Sequence, residues 1–439
     1  MRLNLIARLR TFLRSRAGNV AVVAALAMPV VLGSLGLGAE VASWYGGKRS
    51  LQNAADSAAI AAATAAGSGY ASEARAVARQ YGYRDGVGGV TVTAVNAVAC
   101  PSGGNTCFRV TVQKLQPLLL AQTVGFAGDG QLNGSPAKLI SATALAIQAN
   151  APRQYCVLAL AGSGATQGIR SNGAPFANLS GCNIMSNTAA QCNGHNLAAD
   201  IGDAHTTNSG CGVQQNSSVP IVADPYSGLV SNIPSNPCST YPLAPAKKKD
   251  PPLPSSNLLH GQESRTVINI CGDVQLSGPV IVTSGGNAVL TIFNGSLDLQ
   301  GYSMQTQPGS KLTIVFAGSN NARLHAPVGN GSFDIQAPTS GPWSGVAMYQ
   351  HPSLTGGVDI SAAGNSPTWL ITGLVYLPHA DVTFSGAVNK SSNGASCFGL
   401  VVDKLLINGT GSILNHGQCS QAGLTLPSAS VPGRGQLVS

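Results

Sequence analysis

The chain has 439 residues, enough for two or three domains with a substantial buried core. Only 9% of them are charged and 5% aromatic, while glycine reaches 54, a balance of Gly/Ser/Asn/Ala-rich β proteins and not of cytosolic enzymes. The formal net charge of +8 does not point to nucleic acid: Arg2, Arg8, Arg10, Arg14 and Arg16 precede the first apolar run, and Lys247 to Lys249 lie among prolines without aromatic residues on which bases could stack.

Residues 1–18 form a basic leader. The run that follows, "NVAVVAALAMPVVLGSLGLGA" at 19–39, is uncharged and has the length a helix needs to cross hydrocarbon. Arginines crowd its N-terminal side and Glu40 stands at its far end, so the leader is expected in the cytoplasm and the rest of the chain outside. Trp44 and Tyr45 then fall at the membrane–water interface, where amphipathic rings anchor. A cleaved signal peptide is the rival reading, but the run is longer than the usual apolar stretch of such peptides and is expected to stay as an anchor. Pro29 should kink the helix, and the small residues Ala21, Ala25, Ser34 and Gly38 have spacings that admit a close partner helix.

Residues 40–69 read as an Ala-rich stalk helix. Leu51, Ala55, Ala58, Ala62 and Ala65 share one face. Alanine buries little area but lets backbones approach closely, so this face suits another helix, of its own chain or a neighbour's; a stalk that merely continues the membrane helix explains the alanines equally well. Residues 70–150 read as a small α+β segment: a helix near 72–81, strands "GVTVTAV" and "CFRVTVQ", an apolar helix or strand near 118–126, and "LISATALAI". Cys100 and Cys107 bracket the turn "PSGGNT", a candidate disulfide across a hairpin. All ten cysteines lie beyond the apolar run and none form a CxxC pair, which favours disulfides and a periplasmic or extracellular location.

From 151 to 430 the texture is of short apolar strands ended by Gly, Asn and Ser, as in "AVLTIFNGSLDLQG" and "KLTIVFAGS", with units recurring about every 20 to 25 residues. A right-handed parallel β-helix is expected, with a β-sandwich as the competing architecture. In "LDL", "FDI" and "VDI" period-two alternation turns Asp298, Asp334 and Asp359 outward. The Pro-rich stretch 219–259 reads as an excursion loop that Cys238 is placed to pin, and 431–439 as a flexible tail.

No catalytic, cofactor or metal site is expected, and the protein does not read as an enzyme. The aspartates at 273, 298, 334, 359, 381 and 403 are spread one per unit and should be solvated; stacked into a ladder, they would bind Ca²⁺ or sugar. His195, Asp200, Asp203 and His205 lie between Cys192 and Cys211 without an established metal spacing, so a surface loop closed by a disulfide is expected there. His325, His351, His379 and His416 stand alone and should sit at surfaces or turns. GxSxG, HExxH and complete P-loop patterns are missing.

One stretch carries a resemblance. Residues 16–63 combine a basic leader, Gly18, an Ala/Leu-rich anchor with Ala25, Leu26 and Pro29, an acidic residue at its end, Glu40, and a Leu-Gln-x-Ala-Ala-Asp helix with Leu51, Gln52, Ala54, Ala55 and Asp56. Over about 50 residues this resembles the N-terminal module of the TadE/TadG-like proteins of tight-adherence (Flp) pilus assembly. The resemblance implies a bacterial inner-membrane protein, single-pass, with a structural or accessory role and helix–helix contacts to pilus assembly or other membrane proteins. Pilin-like members carry Glu five residues after the leader Gly, where this chain has Val23, so cleavage at Gly18 and polymerisation are not expected. Longer members continue into a von Willebrand A domain with Asp-x-Ser-x-Ser; here "CVLALAGSGAT" has Ala161 after its strand, and that metal site is not carried over. A membrane-tethered carbohydrate-binding or carbohydrate-cleaving β-helix, with a glycan as ligand, and a surface adhesin are the alternatives.

Overall fold

The computed structural model describes residues 16–101, 103, 106–162, 167–173, 177–354, 358–360, 369–385, 387–409, 412–413 and 417–438, with side chains from Val22 onward except at 358–360, 387 and 412. The leader before residue 16 and His416 lie outside the described residues, as does the side chain of Asp359. The fold is mainly β with an apolar N-terminal helix, and it divides into two compact units, Met1–Ala151 with Pro432–Ser439, and Pro152–Val431.

In the first unit one helix, α1 (Arg16–Ala65), carries both the apolar run and the Ala-rich segment without a break, and Pro29 lies inside it. Val22, Leu26, Leu32 and Leu35 are exposed. Beyond Glu40 the pattern inverts. Leu51, Ala54, Ala55, Ala58, Ala59, Ala62 and Ala63 are each at most 1% exposed, in pairs four residues apart, so they form one stripe along the helix. That stripe packs on Ala74 and Ala78 of α2 (Tyr70–Gln80) and on the apolar face of an antiparallel sheet made of β1 (Val90–Val98), β2 (Cys107–Pro117), β3 (Gly130–Leu132) and β4 (Ser135–Gln154). The registers Val92↔Val112 and Val112↔Ala142 put Val92, Val112 and Ala142 on that face. Alanine on the helix and on β4 is what lets two backbones come this close.

Of the readings of the alanine face, packing on a helix of its own chain holds, with the sheet added; the face is neither a bare stalk nor open to a neighbour, and Ala65, expected on it, is exposed at the helix end. The last residues, expected as a flexible tail, form the strand Ser428–Leu437, which pairs with β4. A bare β4 edge would expose a row of unpaired N–H and C=O groups. The terminal strand covers it: Val438 N donates to Leu145 O, and Gly435 N donates to Thr64 Oγ1 at 2.8 Å.

In the second unit every pairing of described register is parallel. One row runs Val267–Cys271, Asn287–Phe293, Lys311–Ala317, Val346–Gln350, Trp369–Phe384, Phe398–Asn408, then back in sequence to Val157–Ala159, Asn183–Ser186, Ile201–Ala204 and Gln214–Asn216. A further set of parallel pairings joins Leu258–Glu263, Val274–Val282, Ser303–Thr306, Ser332–Gln336 and Trp369–Phe384. Leu276, Met304, Phe333 and Ile371 from this set share one buried cluster with Ile292, Ile314, Val375 and Val402 from the row.

The row enters its sequence twice, so the chain must return from Asn216 at one end to Leu258 near the other. The Pro-rich segment 219–257 makes that return. Nine steps of about 4.8 Å separate the strands of the row, about 43 Å in all, well within the reach of 39 extended residues. Its partners follow the row in order: Asn187 with Val222, Tyr376 with Asp224, Tyr349 with Tyr226, Pro342 with Asn232, Arg323 with Tyr241, Asp273 with Ala244. Cys238–Cys271 ties it near the far end, with Cα atoms 5.7 Å apart. Because this strap covers the outer face, residues that alternate outward are buried too: Val315, Tyr349, Leu374, Tyr376 and Val401 form a second cluster with Val219, Val222 and Tyr226.

Candidate functional site

The family-motif residues converge in the first unit, around the point where α1 leaves the apolar run. Glu40 is 6% exposed, and its carboxylate accepts three main-chain donors: Leu119 N on Oε1 at 2.8 Å, and Leu120 N and Ala121 N on Oε2 at 2.8 and 2.9 Å. These donors open a 3₁₀ turn, Ala121–Val124, whose first N–H groups have no partner within the turn. Burial alone would raise the Glu40 pKa; the three N–H groups outweigh it and hold the carboxyl below its ordinary range. One turn on, Ser43 Oγ donates to Glu40 O and accepts from Gln116 Nε2, tying α1 to β2.

Trp44 packs on Phe126 with ring centroids 5.9 Å apart, and Lys138 Nζ sits 5.7 Å from the Phe126 centroid while pairing with Asp129. Tyr45 is 76% exposed. Trp44, Tyr45 and Lys138, with Val41, Lys48, Leu139, Ile140 and Ser141, line an open groove of about 510 Å³. Further along, Gln52 Nε2 donates to Asp56 Oδ1 at 2.7 Å and to Thr143 O of β4 at 3.2 Å. Leu51 and Ala55 are buried under the sheet. Thus Glu40, Trp44, Leu51, Gln52, Ala55 and Asp56 all act inside one small domain, whereas Gly18 and Pro29 belong to the part of α1 before it. Sequence reasoning missed the partner of Glu40. The uncharged "PLLLAQTVGFAG", residues 117–128, was the available signal.

Cys100 and Cys107 are joined, and so are Cys156–Cys182, Cys192–Cys211, Cys238–Cys271 and Cys397–Cys419. The segment between Cys192 and Cys211, expected as a surface loop, contains strands of the parallel sheet. Asp203 is fully buried there and accepts from Arg153 Nη1 at 2.9 and 2.7 Å, Tyr155 OH at 2.6 Å and Asn216 Nδ2 at 2.7 Å. Sequence spacing gave no hint of Arg153, 50 residues away.

The spread aspartates are engaged by the chain's own donors. Asp273, 9% exposed where solvation was expected, holds Ser296 N and Ala244 N; Asp334 holds Ser391 Oγ and Ser392; Asp381 and Asp403 share Lys404. Asp298 caps Gln300 N between the buried Leu297 and Leu299. His325, expected at a surface or turn, is fully buried, with neither ring nitrogen hydrogen-bonded. Among the described residues no group of three or more His, Cys, Asp or Glu is placed to hold a metal ion.

No curated protein and no solved structure matches this chain. Its residues 18–65, which span α1 almost from end to end, match the family described as putative Flp pilus-assembly TadE/G-like.

Proposed function

We propose that the protein is a single-pass anchor of the bacterial inner membrane with a structural or accessory role in Tad-type pilus assembly. The leader lies in the cytoplasm, and the packed part of the first unit beyond Glu40 and the whole second unit lie in the periplasm or beyond. The observation that carries this reading is the coincidence of the family match, 18–65, with a helix whose first part is apolar and exposed and whose second part is a packed domain core. Ten paired cysteines support an oxidising compartment. The parallel pairings between strands some 20 to 35 residues apart support a right-handed parallel β-helix for 152–431, a rigid surface on which assembly partners dock. Engagement of the aspartates by local donors supports a scaffold over a carbohydrate-cleaving enzyme, and no cofactor enters this reading.

In-cell crosslinking, mild detergent extraction and identification of co-purifying proteins test it. Recovery of pilus secretion components supports the assembly role; recovery of only glycan or peptidoglycan fragments overturns it in favour of a carbohydrate-directed module. A reporter active only outside the cytoplasm, fused after Ala66, should give signal, and a silent, stable fusion reverses the topology. Intact mass should retain Gly18 joined to Asn19; a mature chain starting at Asn19 restores a pilin-like role.

A further inference from the structure

We infer that residues 118–126 form a second membrane contact: an apolar foot of the first folded unit, seated in the acyl–headgroup boundary of the bilayer that α1 crosses. The inference rests on the reading of α1 as a membrane span and adds a partner surface to it.

The first argument is depth. Leu120 packs against α1 at Gly36, so closely that a Cβ on Gly36 would overlap its side chain. Gly36 lies four residues before Glu40, about 6 Å down the helix axis at 1.5 Å per residue. If the apolar run spans the hydrocarbon, Leu120 lies at the depth of its last turn. The loop cannot remain in bulk water while holding that position.

The second argument is chemistry. Leu119 is 76% exposed, Val124 65%, Leu120 40% and Phe126 38%. Leu119 and Val124 stay largely uncovered within the unit, Leu120 and Phe126 are covered only in part by α1, and no charged residue occurs between Leu115 and Gly128. Charges return at the flanks, Lys114 on one side and Asp129 with Lys138 on the other, where a headgroup layer would begin. Trp44, Tyr45 and Phe126 sit at that boundary, the level at which aromatic residues gather.

The third argument is the backbone. Irregular chain at membrane depth is costly because no water satisfies its polar groups. Here Glu40 takes the N–H groups of Leu119, Leu120 and Ala121, Leu118 N donates to Pro136 O, Thr123 N to Leu120 O, Gly125 N to Gln122 O and Phe126 N to Ala121 O. Gln122 Nε2 donates to Leu118 O. A surface loop bathed in water has no need of a buried carboxylate to satisfy its main chain. A loop that leaves water does.

The test uses the full chain in lipid nanodiscs, labelled with 5-fluorotryptophan and read by ¹⁹F resonance broadening from lipids spin-labelled on the acyl chain. Leu119→Trp reports the foot, Leu32→Trp the span and Val213→Trp, exposed in the second unit, bulk water. Strong broadening at positions 119 and 32, with none at 213, is expected. Broadening at 32 but not at 119 overturns the foot, leaves the anchor standing, and means the loop is in water or covered by a protein partner or a second copy. No broadening at 32 overturns the anchor reading and the foot with it. If Leu119→Trp fails to fold, Val124→Trp carries the same comparison.

Discussion

Arg153→Met probes the most buried ion pair among the described residues. Asp203 has no exposure, and three side chains hold its two oxygens; Arg153 is the one that carries charge. Methionine keeps the aliphatic stem and removes the guanidinium, leaving a carboxylate in an apolar setting with only a phenol and an amide. Breaking a buried pair from one side costs about 3–5 kcal/mol, and because the Arg153 side chain is 18% exposed the lower end, about 3 kcal/mol, is expected. The double variant Arg153→Met, Asp203→Leu removes both charges and should recover most of that loss. The two compact units need not unfold together, so global denaturation is a poor gauge. Amide hydrogen exchange along Asn183–Ser186 and Ile201–Ala204 reads the site directly, and 3 kcal/mol corresponds to opening more frequent by about 100-fold or more. A single variant within about 1 kcal/mol of the parent, or a double variant as unstable as the single one, would refute the reasoning.

Glu40→Gln removes one charge and part of the acceptor capacity for Leu119, Leu120 and Ala121, and should increase amide exchange there by an amount worth about 1–3 kcal/mol. Because the Glu40 pKa is depressed in the folded state, its contribution is present above the ordinary value of 4.5 and is lost as pH falls through the folded pKa; acid should loosen this loop in the parent and not in Glu40→Gln. Tyr155, Tyr226, Tyr349 and Tyr376 all have pKa values raised, first by burial, so their stabilising effect is complete below the unfolded value of 10.0 and declines as pH rises beyond it. Alkaline denaturation should therefore begin above about pH 10, with each tyrosine contributing up to about 1.4 kcal/mol per pH unit; a flat stability from pH 9 to 11 would contradict the burial of their hydroxyls. Replacing Cys238 and Cys271 by serine opens a loop of 33 residues and should cost about 3–4 kcal/mol, seen first as proteolysis within the strap; unchanged cleavage there would show that the disulfide does not restrain it.

The apolar run, the small α+β segment and the dense short strands were legible because each rests on local pattern: length without charge, alternation as in "GVTVTAV", and turns at Gly and Asn. Cys100–Cys107 was legible for the same reason, its partners lying seven residues apart across a hairpin turn. The other pairings join residues 19 to 33 apart and depend on which strands lie side by side. What local pattern could not show was which distant segment fills a given face. Thr64 and Gly435 meet across 371 residues, and nothing in "GRGQLV" announces a strand, since its two glycines are poor strand formers. Continuous apolar strands such as "LTIVF" showed only that both faces are covered; that a Pro-rich segment without regular strands supplies the second cover became visible with the row order.

The two halves of α1 show why one composition has two outcomes. Before Glu40 the large apolar residues are Leu, Val and Met, most of them exposed; after it the buried stripe is Leu51 and Ala, whose small size is matched by Ala74, Ala78, Ala142, Ala144 and Ala146 across the interface. The first pattern needs a hydrocarbon solvent and the second a close protein neighbour, and the change falls at the one acidic residue between them. On the proposed reading of α1 as an anchor, Glu40 would mark the surface of the membrane; in the structure it reaches back to the loop beside it. Its buried carboxylate costs desolvation, and the three N–H groups it satisfies belong to the segment that would suffer most from leaving water. A charge that merely ended the span could point to solvent. This one points inward, and if α1 is the anchor we propose, the height of the folded unit above the bilayer is set by that helix.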